Sequence, residues 1–521
     1  MGSRLAQGRH PDVPAETSKD TAAHSAPKQA APEPPAPDVT KLRVIWARLT
    51  PSPIPPGAVA EFSATLANPL PRPMKLQFQP ESGELLTTVI RNVEPPNIEP
   101  PLAITAIGFS RSLDTVYVYL EANAPEPLTL RGFELDGQWV HSGLWLSADR
   151  LAKGQKAVAV LQRARPLVQG DWITVKALAT DGTAAAERVR VFAGFPISVE
   201  EGAPPAGFGL DPDPYTEHPK YLESRTPPGP PSNFPAASFR CLYLFSCAMH
   251  SFGLDKQRTA REILRRFDLA ASLDPRQPAA QSLCRIRPET GYSLFGQITD
   301  ILRANPYITT GLSRGREGEP PEETCARIAR YAYLSVRPRP VHAIVETAPF
   351  GQREGFARPD EFRRQVYTVL AQGARGILYR HGAWNDPKPE AQAIVQEIKK
   401  LNAELAQVRD LLAIADPLSW PDAPVRDGLR ASALLAGDKA LLLILVRPTP
   451  PKQAPTAQPS TVKLAIPVLQ GLTPQEPALI APDGPRPLPE FETDPTGRFL
   501  LNIPVPGTAA LYLIPLGRKP Q

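Results

Sequence analysis

The chain has 521 residues, with 58 Lys and Arg against 53 Asp and Glu, for a formal net charge of +5. The basic residues are dispersed, which argues against a nucleic-acid interface, and no apolar run reaches the roughly 18 residues that a membrane span needs. Proline is frequent, with 65 residues, which favours many short β-strands and irregular loops over long helices.

Residues 1–40 are rich in Ala, Pro, Ser and Lys, and this composition predicts a disordered tether. The segment lacks the apolar stretch of a signal peptide. Tethers of this kind often follow an export signal, so we expect an extracellular, cell-surface or periplasmic protein. The sequence leaves the oligomeric state open.

Two β-rich modules are predicted to follow the tether. Residues 41–98 contain short β-like runs and are expected to form a small β-domain. Residues 99–194 contain successive strand-like runs, with Asp136-Gly137 and Asp181-Gly182 as hairpin signals. This pattern is typical of an immunoglobulin-like β-sandwich.

Strand-like and helix-like segments alternate in residues 195–420, which predicts a parallel sheet in a (β/α) barrel-like domain. Fewer than the eight strands of a closed TIM barrel can be found, so we expect a shortened or degenerate barrel. The Pro- and Gly-rich residues 201–238 are interpreted as a loop. The expected strands are 195–200, 239–247, 281–286, 306–311, 341–346 and 376–379, with 411–416 as a further candidate. The expected helices are 260–273, 292–304, 322–336 and 389–412, and a further helical pattern contains Phe362, Val366, Val369 and Leu370. Residues 421–521 return to β-like runs and predict a C-terminal antiparallel β-sandwich.

The segment 340–384 carries the clearest functional signal. An apolar run from Val341 to Val345 ends in a carboxylate, Glu346. A helical pattern follows, and Gly373 is well placed to end that helix. A second buried-type strand, 376–379, completes a strand–helix–strand unit. Because (β/α) barrels keep their chemistry at the carboxyl ends of the strands, Glu346 is the leading catalytic candidate.

This segment resembles the late-barrel region of β-galactosidase-like retaining hydrolases of the clan A type, within the layout of a secreted multidomain glycoside hydrolase. The matching residues are Glu346 at the strand end, the turn Ala371, Gly373, Ala374 and Gly376, and the aromatic and basic residues after the next strand. The resemblance implies that Glu346 is the nucleophile and that the partner is a carbohydrate.

The chain departs from that family at the general acid. The family places an Asn-Glu pair at the end of an earlier strand, and this sequence contains no Asn-Glu dipeptide. Glycosidases need two carboxyl groups, so a second one would have to come from another loop. The candidates near strand ends are Asp255, Glu289, Glu317 and Glu319.

The loops after parallel strands share one rim, so their polar residues are expected to converge there. The predicted substrate-binding residues are His250, Arg285, Tyr307, Tyr379, His381 and Trp384, and Met249, Arg287 and Glu289 belong to the same loops. Alternative roles remain open for each. Either histidine fits an ordinary core or loop position, Trp384 fits a packed lid, and Asp300 fits a local cap as well as a polar pair with Tyr307. Glu346 itself fits a structural carboxylate paired with Arg380.

No cofactor or metal is expected. The cysteines, Cys241, Cys247, Cys284 and Cys325, have spacings that fit no zinc pattern, and one disulfide of unassigned pairing is conceivable. The chain contains no GxSxG, GxGxxG, P-loop or HExxH motif.

The sequence therefore leads to two hypotheses on function. The first is a glycoside hydrolase acting on an oligo- or polysaccharide. The alternative is a non-catalytic cell-surface or matrix protein built on a degenerate glycosidase barrel.

Overall fold

A computed structural model gives the fold. Residue contacts divide the chain into residues 1–38 and residues 39–521, and everything described below belongs to the second unit. The predicted tether, residues 1–40, lies outside the described residues. The structure describes residues 44–50, 61–66, 75–78, 86–89, 99–199, 206–211, 215–217, 241–243, 260–261, 263–268, 276, 278–284, 292, 295–305, 321–347, 356–380, 384, 386–418, 420, 429–447, 461–467, 469–488, 491–493, 499–504 and 506–519.

Antiparallel β-structure fills the first part of the described chain. The first four strands form two separate two-stranded sheets, β1 with β2 and β3 with β4. The next nine form two facing sheets, β10-β7-β12-β13 with β8 on its edge, and β5-β6-β11-β9. The bounds are Val44–Thr50 (β1), Glu61–Leu66 (β2), Lys75–Phe78 (β3), Leu86–Val89 (β4), Leu102–Phe109 (β5), Thr115–Ala122 (β6), Leu128–Leu135 (β7), Gln138–Trp139 (β8), Leu144–Leu146 (β9), Arg150–Leu151 (β10), Lys156–Gln162 (β11), Trp172–Ala179 (β12) and Ala184–Arg190 (β13).

The two facing sheets form a β-sandwich, since alternate residues of both point into one apolar core. Trp172–Ala179 shows the pattern most clearly, because every second residue is buried. Val118 and Leu120 from one sheet share a buried cluster with Val175 and Ala177 from the other.

A seven-stranded sheet follows, and every pairing in it is parallel. Its strands are Ile197–Val199 (β14), Tyr215–Glu217 (β15), Cys241–Tyr243 (β16), Ala279–Cys284 (β17), Ile301–Asn305 (β18), Val341–Glu346 (β19) and Ala374–Arg380 (β20). The order across the sheet is β14-β20-β19-β18-β17-β16-β15. From β15 to β20 neighbours in space are neighbours in sequence, and β14 then pairs with β20. β14 and β15 are the two ends of this sheet, and no described residues pair one with the other.

Three sequence predictions for this region are wrong. The predicted helix 292–304 ends earlier, because Ile301–Asn305 is the strand that pairs with β17 and β19. Residues 411–414 are helical, and residues 415–417 pair antiparallel with the C-terminal sheet instead of extending the parallel one. The remaining strand is Tyr215–Glu217, inside the segment interpreted as a loop. The predicted strand 306–311 lies outside the described residues.

Helices cover one face of the parallel sheet. The described helices are Pro321–Val336 (α1), Pro359–Ala371 (α2), Pro389–Gln407 (α3) and Arg409–Ile414 (α4), and residues 260–261 and 263–268 are also helical. Helix α2 begins with Pro at its first position and Glu361 accepting the backbone N–H of Arg358 at 3.1 Å. It ends before Gly373, whose φ of +95° favours glycine and where an added Cβ would meet Tyr333 and Pro417 side-chain atoms at 2.9 Å.

Alternation along β19 defines the two faces of the sheet. Val341 packs with Tyr333 and Val336 of α1, and Ala343 and Val345 belong to the cluster that α2 completes. Ile344 instead packs with Ile301 and Leu378 of the neighbouring strands. We call the side that carries Ile301, Ile344 and Leu378 the inner face.

The last part of the chain forms two antiparallel sheets, β21-β22-β23-β30-β26-β27 with β25 beside β30, and β24-β29-β28. Both contribute to one buried cluster, which also includes Val366 and Leu370 of α2. The bounds are Ala415–Pro417 (β21), Arg430–Ala436 (β22), Ala440–Val446 (β23), Thr461–Ile466 (β24), Leu472–Pro474 (β25), Ala478–Ala481 (β26), Gly484–Pro487 (β27), Phe491–Thr493 (β28), Phe499–Pro504 (β29) and Ala509–Arg518 (β30).

One buried carboxylate joins these three parts of the molecule. Asp416 of β21 is fully buried, and its Oδ2 accepts hydrogen bonds from Lys156 Nζ at 2.9 Å and Thr105 Oγ1 at 3.0 Å, both in the sandwich. Its Oδ1 accepts from the Tyr333 hydroxyl of α1 at 2.6 Å. We call these four residues the Asp416 cluster.

The charges of this cluster stabilise each other. Burial alone would raise the pKa of Asp416, but Lys156, the hydrogen bonds from Tyr333 and Lys156, and Arg375 together lower it. Burial would likewise lower the pKa of Lys156, but Asp416 raises it. A carboxyl whose pKa is lowered on folding contributes stability at neutral pH that is lost as the pH falls through its folded pKa.

We expect Asp416→Asn to destabilise the protein by about 3–5 kcal/mol at neutral pH, because Lys156 would stay buried without its counter-ion. Urea unfolding followed by circular dichroism measures this. Asp483→Asn is the matched control, because Asp483 forms a solvent-exposed pair with Arg486 and should leave the unfolding midpoint unchanged. Equal midpoints for wild type and Asp416→Asn would contradict the role of the cluster.

Candidate functional site

The structure describes three of the predicted site residues: Glu346, Tyr379 and Trp384. The other four, His250, Arg285, Tyr307 and His381, lie outside the described residues, as do Met249, Arg287 and the second-carboxyl candidates Asp255, Glu289, Glu317 and Glu319. Their predicted roles stay predictions. The described residues give the geometry of the sheet and of the ends of its strands.

Glu346 is the last residue of β19 and lies on the inner face. It pairs in register with Arg380, the last residue of β20, so a carboxylate and a guanidinium end adjoining strands. The backbone N–H and the hydroxyl of Thr347 both donate to the Arg380 carbonyl at 2.9 Å, which holds the two strand ends together. Glu346 is deeply buried, with 2% of its surface exposed.

Further polar residues continue along the inner face. Arg303 of β18 is fully buried and pairs in register with His342 of β19. Asn305, the last residue of β18, is also buried. The sequence analysis did not single out these three residues. The signal that would have found them is a polar residue at alternate positions of a strand that is otherwise apolar on both faces.

The imidazole of His342 lies in a positive environment. Burial first, and then the charges of Arg303 and Arg375, lower the pKa of His342 to about 3. The ring also packs on Gly376 of the adjoining strand, where an added Cβ would meet imidazole carbons at 2.9 Å. His342 is therefore neutral at physiological pH, and its place on the inner face depends on the glycine beside it.

Tyr379 faces the helices instead of the inner face. It pairs in register with Val345, whereas Glu346 pairs with Arg380, and alternation places the two pairs on opposite sides of the sheet. Its hydroxyl donates to Asn402 Oδ1 at 2.7 Å, and burial raises the pKa of that hydroxyl well above its usual range. These contacts give Tyr379 a packing role between β20 and α3.

Trp384 lies just beyond the end of β20 and is half-buried. Its ring makes edge-on contacts with Phe208, at a centroid distance of 5.3 Å, and with Tyr379, at 6.3 Å. Phe208 is held in turn by its carbonyl, which accepts from Asn402 Nδ2 at 2.8 Å. Trp384 thus belongs to an aromatic group over the strand end, which matches the packed-lid alternative.

Asp300 lies at the opposite end of the sheet from Glu346. It immediately precedes β18, and its Oδ2 accepts the backbone N–H of Ala279 at 2.9 Å and lies 3.5 Å from Arg190 Nε of the sandwich. Ala279 and Arg190, the two partners of this carboxylate, are both buried. These contacts match the local-cap interpretation of Asp300. They also join the sandwich to the amino end of β18.

Two features of the described residues concern possible partners. No group of three or more His, Cys, Asp or Glu in that part of the chain is arranged to hold a metal ion. No helix in it is long and apolar enough to cross a membrane. Cys325 is a buried residue of α1.

No protein-family model matches the chain, and no curated protein matches it either. Solved structures that align with it include a GH27 β-L-arabinopyranosidase of Geobacillus stearothermophilus, at 11% identity over 53% of this chain and 57% of that one, with a TM-score of 0.31. An α-amylase of Geobacillus thermoleovorans aligns at 11% identity over 54% and 60%, with a TM-score of 0.30. The archaellum stator protein FlaG of Sulfolobus acidocaldarius aligns at 18% identity over 17% of this chain and 96% of its own, with a TM-score of 0.15. The chain thus spans less than two thirds of either glycosidase, and these scores carry no argument about family or activity.

We expect the stability of the protein to fall as the pH decreases from about 6.5, the usual pKa of histidine, towards the native value for His342 near 3. In that range the unfolded chain binds a proton that the native His342 does not. The slope should approach about 1.4 kcal/mol per pH unit. Urea unfolding between pH 7 and 5, where most carboxylates stay ionised, measures it.

His342→Gln should lose this slope, because glutamine does not titrate. His141→Gln, at an exposed position, is the matched control and should keep it. An unchanged slope in His342→Gln would show that another group is responsible.

Proposed function

We propose that this chain is a carbohydrate-active protein that presents a glycan site at the carboxyl rim of a seven-stranded (β/α) barrel. The observation that carries the proposal is the parallel order β15 to β20 and β14, with Glu346, Asn305 and Arg380 ending neighbouring strands. In barrels of this kind the loops at that end hold the chemistry. Charged and amide groups together suit directional hydrogen bonds to hydroxyls.

Hydrolysis is the first form of this function, with Glu346 as the nucleophile or base. Such a group has to be ionised, and an arginine on the adjoining strand favours the charged carboxylate. Arg380 holds that position by register. The resemblance of residues 340–384 to the late-barrel region of β-galactosidase-like hydrolases supports the same role for Glu346.

Hydrolysis also requires a second carboxyl group. The candidates for it remain Asp255, Glu289, Glu317 and Glu319, which lie outside the described residues.

Glycan binding without hydrolysis is the second form, and the burial of Glu346 favours it. A carboxylate that retains 2% of its surface has little room for an attacking water or a sugar ring. Among the inner-face side chains that the structure describes, Glu346 is also the one carboxylate, while Arg303 and Arg380 are cationic. In this form the polar rim would grip a glycan and the barrel would be a degenerate one.

If the hydrolytic form is correct, Glu346→Gln should lower kcat by about 10²–10⁴-fold, the scale of a lost acid or base, with little change in KM. A panel of aryl glycosides and polysaccharides tested with the full chain measures this. Glu492→Gln, at an exposed position of β28, is the control and should keep full activity.

The two forms give different results in the same panel. No turnover by the wild type, together with glycan binding that Glu346→Gln weakens, would leave the binding form. Neither turnover nor binding would refute the proposal. Thermal unfolding of each variant checks that a lost signal is not a lost fold.

A further inference from the structure

A short segment lies against Trp384, just beyond the carboxyl end of β20. It consists of residues 206–211, and we call it the Phe208 segment. Phe208 at its centre is half-buried, whereas Gly207 and Gly209 on either side are exposed. The Phe208 ring meets the indole edge-on, with ring centroids 5.3 Å apart. Phe208 thus covers part of the Trp384 side chain.

The two ends of the Phe208 segment are held differently. At one end, the Asp211 N–H donates to the Ile197 carbonyl at 2.7 Å. Asp211 Oδ2 accepts the Ile197 N–H at 2.9 Å and pairs with Arg409. At Phe208 the described residues supply one hydrogen bond, from Asn402 Nδ2 to the Phe208 carbonyl at 2.8 Å. Asp211 is therefore the fixed end of the segment, and Phe208 is its weakly held part.

Both glycines beside Phe208 have a positive φ. The angle is +79° at Gly207 and +64° at Gly209, a region that strains residues with a Cβ. An added Cβ at Gly207 would meet no atom within 4 Å, and one at Gly209 would make ordinary contact with Asn402 at 3.9 Å. Backbone conformation, and not lack of space, thus favours glycine here. Glycine also adopts other φ values at little cost, which suits a hinge.

The contacts that hold the Phe208 ring in place are individually weak. Lys399 of α3 is exposed, and its Nζ lies 4.7 Å from the Phe208 ring centroid. An exposed cation–π contact, an edge-on aromatic contact and a single hydrogen bond each contribute little in water. A segment held by three such contacts is expected to open in a minor fraction of molecules, of about 0.1–10%.

We propose that the Phe208 segment is a latch over Trp384, which swings open about Gly207 and Gly209 and exposes the indole. The exposed indole would offer its face to the apolar C–H side of a sugar ring. This use of the latch rests on the proposed function, whereas the opening itself does not. A glycan that stacks on the open indole would select the open state, so the latch would control access to this part of the carboxyl rim.

Oxidation of indole rings by N-bromosuccinimide measures the opening in the absence of sugar. Peptide mass spectrometry of the full chain resolves Trp384 among the six tryptophans. Phe208→Ala should raise the oxidation rate of Trp384 about tenfold, because the ring no longer has to be uncovered first. Gly207→Ala should raise it about fivefold, because alanine strains the closed backbone and leaves the open one unstrained.

Gly154→Ala is the matched control for Gly207→Ala. Gly154 is exposed in the sandwich, has a φ of +77°, and an added Cβ there would also meet nothing within 4 Å. It carries the same strain at a distant turn and should leave the oxidation rate of Trp384 unchanged. Lys399→Gln removes the cation–π contact and should raise the rate about two- to fivefold. Lys400→Gln, at the next exposed position of α3, should not.

The lysine pair decides the matter even if a glycine variant fails to fold. An oxidation rate that stays at the wild-type level in both Gly207→Ala and Lys399→Gln would overturn the proposal, because the Phe208 segment would then be rigid packing. An equal rise in Gly154→Ala would also overturn it, because the rate would then report general loosening of the chain. These outcomes involve no sugar, so they are independent of whether the glycan panel shows turnover or binding.

Discussion

The ion pair between Asp416 and Lys156 is the constraint on which the rest of the structure depends. Neither charge is tolerable in a protein interior alone, so each is buried only because the other is present. Lys156 belongs to the sandwich, Asp416 opens the C-terminal sheet, and Tyr333, which completes the cluster, belongs to a helix of the parallel sheet. Folding of the three parts is therefore coupled, since each part would leave a partner of this cluster unsatisfied on its own.

This coupling also decides which end of the parallel sheet is available for function. The sandwich is joined to the amino end of the sheet by Arg190 with Asp300 and by Arg375 with the Ile107 carbonyl. Glu346 and Arg380 end their strands at the opposite side. The two ends thus have separate tasks. The amino end holds the domains together, and the carboxyl end carries the polar groups for which a ligand can be proposed.

Local patterns in the sequence predict part of this structure. Helix α2 could be predicted from its apolar period and from Gly373, and Glu346 from the apolar run before it. Residues 301–304 fall in the predicted helix 292–304, but pairing with β17 and β19 makes them part of a strand. Tyr215–Glu217 was missed because three residues among prolines give no period. The Asp416 cluster joins residues up to 311 positions apart, and no local pattern marks it.

Differential scanning calorimetry of the full chain tests the coupling most directly. If the Asp416 cluster joins the sandwich, the parallel sheet and the C-terminal sheet, these parts unfold together, and the van't Hoff enthalpy equals the calorimetric enthalpy for the main transition. A sandwich that melts in a separate transition, while the parallel sheet remains folded, would contradict the account.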